Sequence, residues 1–204
     1  MSLPYDVWAV GGSRKLSPAG REVARYVAAD LLRAGGRLAV GCCTGADAAF
    51  INGTIGRGFA RRLWIFSAFG PIQAKAGGVA AAGTCRSSAV SAVAAAKQSG
   101  AAIIPWAGGG PELPIVARLR ARTWQVAYAA TAGGVIVADG PLGPGSLLLA
   151  SHLAAHGCPV YAMQPGPVVP PPGPGGWAAD HFLGLPCWRL PAAGGDSLSL
   201  AIAA

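Results

Sequence analysis

The sequence predicts an α/β protein, a doubly wound and mainly parallel sheet with helices on both faces. Two observations carry this expectation. Short apolar runs of strand length alternate with longer runs of helical period, and several of the apolar runs end in glycine-bearing turns. Strands of a parallel sheet covered on both faces are apolar throughout, because neither face meets water. The clearest unit is Gly134-Val135-Ile136-Val137-Ala138, followed by the turn Asp139-Gly140-Pro141-Leu142-Gly143-Pro144-Gly145-Ser146 and an Ala/Leu-rich run that reads as a helix.

The first strand is predicted over residues 6–10, ending in Gly11-Gly12-Ser13-Arg14. Ser17 followed by Pro18 is a good cap and first-turn pair. Val23, Val27 and Leu31 then recur every four residues, with Arg21, Arg25 and Arg33 on other faces, as in an amphipathic helix. Gly35-Gly36 closes it. Residues 37–40 form a second strand that runs into Gly41-Cys42-Cys43-Thr44-Gly45-Ala46-Asp47 and a helical stretch. A third strand lies at 63–66 behind Arg61-Arg62, an Ala/Ser/Val helix at 87–98, and a fourth strand at 101–104. Gly108-Gly109-Gly110-Pro111 is a break, after which Pro114 opens a helix to about residue 130 that carries Arg118, Arg120 and Arg122. A sixth strand is read at 159–163.

Residues 164–176 are mostly Pro and Gly, a composition of linkers and surface-wrapping segments. Trp177, Phe182, Leu185 and Trp188 follow and are too apolar for a free tail. The expected organisation is a sheet domain over 1–165 and an extension over 166–204 that packs back on it or onto a partner subunit.

Apolar residues make up 52% of the 204, which argues against disorder of the bulk chain. No apolar run approaches the ~20 residues of a membrane span, so no membrane partner is expected. The first six residues lack the basic-then-apolar form of a secretory leader, which makes the cytoplasm the expected compartment. The five cysteines, Cys42, Cys43, Cys85, Cys158 and Cys187, form no C-x-x-C pair and read as small buried hydrophobes. Cys42 and Cys43 are adjacent, a poor geometry for a mutual disulfide. His152 and His156 lie four apart on one helix face but lack a third ligand, so no metal and no cofactor is assigned.

The net charge is +8, carried mostly by arginine, and favours a polyanionic or phosphorylated partner. The turns suit such a partner. The first amides of a helix lack internal acceptors, the helix dipole adds positive charge there, and glycine permits close approach. Gly143, Gly145 and Ser146 form one such wall, with Asp139 before it. Gly11, Gly12, Ser13 and Arg14 offer amides, a hydroxyl and a guanidinium, which can clamp a phosphate. Neither G-x-G-x-x-G nor G-x-x-x-x-G-K-[ST] is present, which argues against a dinucleotide fingerprint and a P-loop. All these turns follow strands, so they are expected to share the carboxyl rim of the sheet, where such folds bind ligands.

Gly12-Ser13-Arg14, Gly45-Ala46-Asp47, Arg120-Ala121-Arg122 and Pro144-Gly145-Ser146-Leu147 occur in an order that resembles a known family. It is the superfamily joining bacterial DNA-processing protein A (DprA) with the Lonely Guy (LOG, SLOG) phosphoribohydrolases. In the DprA branch the pieces read G-S-R, G-I-D, R-N-R and S-G-S-L. The resemblance spans roughly residues 6–165. It implies a Rossmann-like fold that holds a nucleotide or single-stranded DNA, a homo-oligomer, and a DNA-recombination partner protein. Carried onto this chain, it adds Thr44, Gly45, Asp47, Arg118, Arg120 and Arg122 to the expected site. Asp47 is read either as a ribose ligand or as a cap of its helix. The Lonely Guy motif P-G-G-x-G-T-x-x-E needs its Glu for the ribosyl bond, and residues 145–149 supply no carboxylate. Binding without catalysis is therefore the leading expectation. The alternatives are a nucleotide N-glycosidase using Asp47 or Asp139, and a scaffold assembled through the C-terminal segment. Trp106 and Trp124 are the candidates for base stacking, while Trp8 and Trp64 are read as core.

Overall fold

The computed structural model describes residues 6–70, 73–75, 78–80, 89–166 and 176–193. In chain order the elements are β1 (Val7–Gly12), α1 (Pro18–Arg33), β2 (Arg37–Val40), α2 (Ala46–Ile55), β3 (Leu63–Phe66), β4 (Gln73–Lys75) and β5 (Gly78–Ala80). They continue with α3 (Val90–Gln98), β6 (Ala102–Ile104), α4 (Ile115–Tyr128), β7 (Gly133–Val137), α5 (Pro144–Ala155), β8 (Val160–Met163), β9 (Ala178–Phe182) and β10 (Leu185–Leu190). Eight strands form one sheet in the order β6-β3-β2-β1-β7-β8-β10-β9, and β4 pairs with β5 alone. The first six in that order run parallel. β10 joins β8 antiparallel and β9 closes the edge as its hairpin partner. This is the Rossmann-like, doubly wound α/β sheet.

Alternation along the strands divides the core. Val10 in β1, Leu38 and Val40 in β2, Leu63 and Ile65 in β3, and Val135 and Val137 in β7 point to the side covered by α1, α2 and α3. Val7 and Ala9, Ala39, Phe66, and Ile136 point to the other side, under α4 and α5. Successive side chains of a strand face opposite ways, so a strand apolar at every position is buried twice over.

Helix α1 begins as its sequence predicts. Pro18 holds its first turn, and the Ser17 hydroxyl accepts the Gly20 N–H at 3.0 Å. Val27, Leu31 and Leu32 face the sheet, and Gly35 at φ +94° ends the helix in a left-handed turn. The chain winds outward from β1 through β2 and β3 to β6, then crosses on α4 to β7 at the other side of β1. The carboxyl ends of β1 and β7 thus flank the point where the winding reverses, the ligand-binding crevice of such sheets.

The structure differs from the expectation in three places, one of them the β4–β5 hairpin, where no element is read from the sequence. β1 runs on through Gly11 and Gly12, which belong to the strand rather than the turn, because both pair with β7. The segment around Trp177 and Trp188 contributes two strands that the sequence pattern did not show, since Pro186 breaks the run. Pro186 lies beyond the β8 pairing, which begins at Trp188, so no ladder bond to β8 is lost there. Phe182 stacks on Tyr161 at 4.1 Å and meets Trp8 at 5.2 Å, which makes Trp8 a core-edge residue. Cys85 and residues 167–175, like the first residues of the helix expected at 87–98, lie outside the described residues.

Gly12 has φ +149°, and a Cβ there would sit 1.9 Å from the Val137 carbonyl oxygen, a backbone atom that cannot swing aside. Gly12→Ala is expected to cost about 3 kcal/mol or more. Gly145, inside the first turn of α5 with nothing within 4 Å, is the contrast: Gly145→Ala is expected to stabilise by about 0.5–1 kcal/mol. Urea midpoints of the two variants measure both effects.

Candidate functional site

The turns after β1, β2 and β7 are bound to one another by backbone bonds at the carboxyl rim. The Ser13 N–H donates to the Val137 carbonyl at 3.0 Å, and the Ser13 carbonyl accepts the Ala46 N–H, the first of α2, at 2.9 Å. The Thr44 hydroxyl donates to the Arg14 carbonyl at 3.3 Å. Gly45, at φ +77°, allows this approach, for its Cβ would lie 2.2 Å from the Ser13 carbonyl oxygen. A Cβ on Gly11 would touch Leu149 of α5 at 3.2 Å and lie 3.5 Å from Asp47 Oδ1. Leu149, in the second turn of α5, therefore sits beside the end of β1 and the Asp47 carboxylate.

Asp139, just past β7, reaches the start of α1. Its Oδ2 accepts the Ser17 N–H, and its Oδ1 accepts the Ser17 hydroxyl at 2.9 Å. Gly20 leaves room for this carboxylate, since a Cβ there would stand 2.5 Å from Oδ1. A carboxylate at a helix start meets the positive end of the dipole. Asp139 is thus a structural acceptor holding the β7 turn to α1.

Beneath the rim lies a buried ionic cluster. Asp47 is 6% exposed and Arg122 is 8% exposed. Asp47 Oδ2 accepts the Cys43 N–H at 3.0 Å and stands 3.6 Å from Arg122 Nη1. Arg122 Nη2 donates to Cys43 Sγ at 3.1 Å, and the guanidinium occupies the space that a side chain on Gly41 would fill, with Nη1 1.7 Å from the position of its Cβ. Asp47 does not cap α2, whose N-cap Gly45 makes no side-chain bond; its carboxylate turns back onto the preceding loop. Burial raises the Asp47 carboxyl, with the Arg122 charge and the Cys43 amide opposing. Burial works against the Arg122 charge, but Asp47 and the neighbouring thiols outweigh it and raise its affinity for the proton. A hydrogen bond from the Cys43 thiol, joined by the Arg122 charge, draws Cys42 down to about 6. The cysteine pair is buried, as expected, yet it takes part in a polar network that no spacing rule in the sequence announces.

The three arginines of α4 go to three places. A helix turns ~100° per residue, so Arg118 and Arg122 share the inner face while Arg120 points away. Arg118 donates to the Ala68 carbonyl at 3.3 Å and lies over the rings of Phe69 and Trp106, at 5.5 and 5.4 Å. Trp106, expected as an exposed stacking platform, is half-buried under that guanidinium. Arg120 is exposed and has no hydrogen-bond or ion-pair partner among the described residues.

Of the residues named from the sequence, Gly11, Gly12, Ser13, Arg14, Thr44, Gly45, Asp47, Arg122 and Asp139 come together around the ends of β1 and β7. Gly143, Gly145 and Ser146 lie at the start of α5, which follows the turn after β7. Arg118 and Arg120 do not join them. Ser146 is 6% exposed, under the surface of the first turn. Arg14 and Lys15 are exposed above the stitched turns, and a Cβ on Gly143 or Gly145 would meet nothing within 4 Å. His152 and His156 form no metal group, nor is there a cluster of metal-binding side chains elsewhere among the described residues.

The strand order and the rim together define a Rossmann-like protein whose glycine-bearing turns meet at the switch point of its sheet. No family model and no curated protein matches the chain. Among solved structures it is similar to DNA processing protein A from Helicobacter pylori, described for its single-stranded DNA binding mode, with a TM-score of 0.57 at 15% identity. The match covers 78% of this chain, and the chain spans 65% of that protein. The likeness is one of fold. No helix among the described residues is long and apolar enough to cross a membrane.

Removing one member of a buried ion pair strands the other charge. Asp47→Asn is therefore expected to cost about 3–5 kcal/mol. Adding Arg122→Met to it should restore more than half of that loss. Denaturation of the two single variants and the double variant closes the cycle.

Proposed function

We propose that the chain binds the phosphate backbone of single-stranded DNA, or of a nucleotide, at the carboxyl rim and performs no chemistry on it. One observation carries this reading: the stitched turns spend their own amides and carboxylates on each other and leave Arg14 exposed at the carboxyl rim, where α5 also begins, at glycines with open space around them. Ser13 N–H, Ala46 N–H and the Thr44 hydroxyl are already bonded, so a phosphate here is held by Arg14 and by the glycine-lined start of α5 rather than by every donor of the turns. Gly12 and Gly45 act by permitting the turns to close, Arg122 by holding Asp47 and loop 41–47 in place. The charge of +8 and the single-stranded DNA binding of the Helicobacter pylori protein of similar fold support the same partner.

Cleavage of an N-glycosidic bond is the second reading. It needs a carboxylate free to meet substrate. Asp47 is buried against Cys43 and Arg122, and Asp139 is bonded to Ser17, which favours binding. Incubation with nucleoside monophosphates separates the two: no free base is expected, and release that disappears in Asp47→Asn or Asp139→Asn establishes the enzyme instead.

Fluorescence polarisation with labelled oligothymidylate across a salt series tests the binding. Wild type should show affinity falling with salt. Arg14→Ala should weaken it about tenfold whatever the base sequence and reduce the magnitude of the log–log salt slope by about 0.7, the value for one single-strand phosphate contact. Binding indifferent to salt and to Arg14 refutes the rim as the phosphate site.

A further inference from the structure

Helix α4 presents an aromatic face to solvent that neither the core nor the rim uses. Arg120, Trp124 and Tyr128 follow each other at four-residue spacing and so share one stripe. Trp124 is 39% and Tyr128 62% exposed, values at odds with the removal of large apolar groups from water. The two rings already stack, with centroids 5.1 Å apart and planes 25° from parallel. His156, at the end of α5, meets Tyr128 edge-on at 5.0 Å and fixes that end of the stack. Side chains of a helix lean toward its N-terminus, so Tyr128 leans onto Trp124 and the other face of Trp124 looks toward the turn of Arg120. There a guanidinium waits without a partner among the described residues.

The charge around this stripe is of one sign. Helices α4 and α5 contain no Asp or Glu, and the stretch from Leu113 to Ala179 holds a single acid, Asp139, which is bound to Ser17 at the other side of the rim. A partner protein selects an apolar face of this kind with complementary carboxylates, and a second copy of this chain brings none on these helices. A nucleic-acid strand fits both features at once. Its bases have flat faces of any sequence to lay on Trp124, and its phosphates meet Arg120.

We propose that the Arg120–Trp124–Tyr128 stripe is a second contact for single-stranded DNA, in which a base stacks on Trp124 and the adjoining phosphate pairs with Arg120. The proposal rests on the reading of the rim as a single-strand site. Helix α4 starts at the rim side of the sheet and runs ~18 Å from Val116 to Tyr128 at ~1.5 Å per residue, so a strand leaving the rim along it reaches the stack. The rim then holds phosphates, and the stripe holds bases further along the same strand.

The experiment compares two oligothymidylates, one of about 5 nucleotides, enough for the rim alone, and one of about 25, on the full-length chain. The Trp124→Ala/Tyr128→Ala double variant should bind the long strand about tenfold more weakly and the short strand as wild type does. Trp124→Phe should restore most of the long-strand affinity. A long strand of abasic residues should bind wild type and the double variant equally. Both rings are exposed, so an unchanged melting curve verifies the fold. Equal binding of the long oligothymidylate by wild type and the double variant overturns the proposal. It falls equally if the double variant changes the sedimentation mass of the free protein while leaving DNA affinity intact, for then the face joins two copies of the chain. Arg14→Ala distinguishes the two sites: weakening of both lengths supports the rim whatever the stripe does, and long-strand weakening confined to the aromatic variant sinks the rim and leaves the stripe.

Discussion

The backbone of one residue holds the rim together. Ser13 gives its N–H to the end of β7 and takes the first N–H of α2 on its carbonyl, so three turns from distant parts of the sequence meet at a single residue. Each bond contributes only about 1 kcal/mol net. Their importance is geometric, because they fix the crevice between β1 and β7 at the place where the winding of the sheet reverses. Neither bond forms unless the flanking positions lack side chains. Gly12 lies against the Val137 carbonyl and Gly45 against the Ser13 carbonyl, both closer than any Cβ permits. The glycines of this rim thus serve the packing of turn on turn, and the outward-facing glycines of the α5 start are the ones left open to a ligand.

Below Ser13, electrostatics stiffens the second turn. Asp47 and Arg122 are taken out of water together, and their attraction offsets much of what desolvation costs each of them. Cys43 adds two contacts, its amide donating to Asp47 and its sulfur accepting from Arg122, while Arg122 Nε stays buried without a hydrogen-bond partner. A fully apolar cluster fills such a space as well and is often more stable. What the ion pair adds is direction. It ties α4 to the loop after β2, so the helix that carries the outward arginine and the aromatic stripe has a fixed bearing on the rim.

The sheet and its order of elements were legible because apolar strands and amphipathic helices leave strong periodic signals, as in residues 134–138 and in Val23, Val27 and Leu31 of α1. The closing hairpin was not, since Pro186 and the alternation of Trp188 with small or polar neighbours carry no clear strand period. At the rim, the convergence of the turns followed from topology alone. What each side chain does there did not. Arg118, Arg120 and Arg122 look equivalent as an R-x-R-x-R run, yet the ~100° helical step sends one over Trp106, one to solvent and one into the core. Asp139 reads as a lone acid beside a glycine loop, and only the fold reveals Ser17 across from it, at a separation of 122 residues.

Those commitments bear on the choice between holding a ligand and transforming it. A general acid or base needs a proton-carrying group that faces the reacting atoms and titrates near the working pH. At this rim the Asp47 carboxylate is buried against Cys43 and Arg122, the exposed Asp139 carboxylate is bonded to Ser17, and the cations Arg14 and Lys15 face outward. The outward face carries the charges of Arg14 and Lys15, while at the start of α5 Pro144 has no N–H and the Ser146 and Leu147 N–H groups both donate to the Gly143 carbonyl. On the proposed reading, such a surface holds a phosphate by charge and geometry. Repeated contacts along a polymer then supply affinity that no single phosphate contact provides.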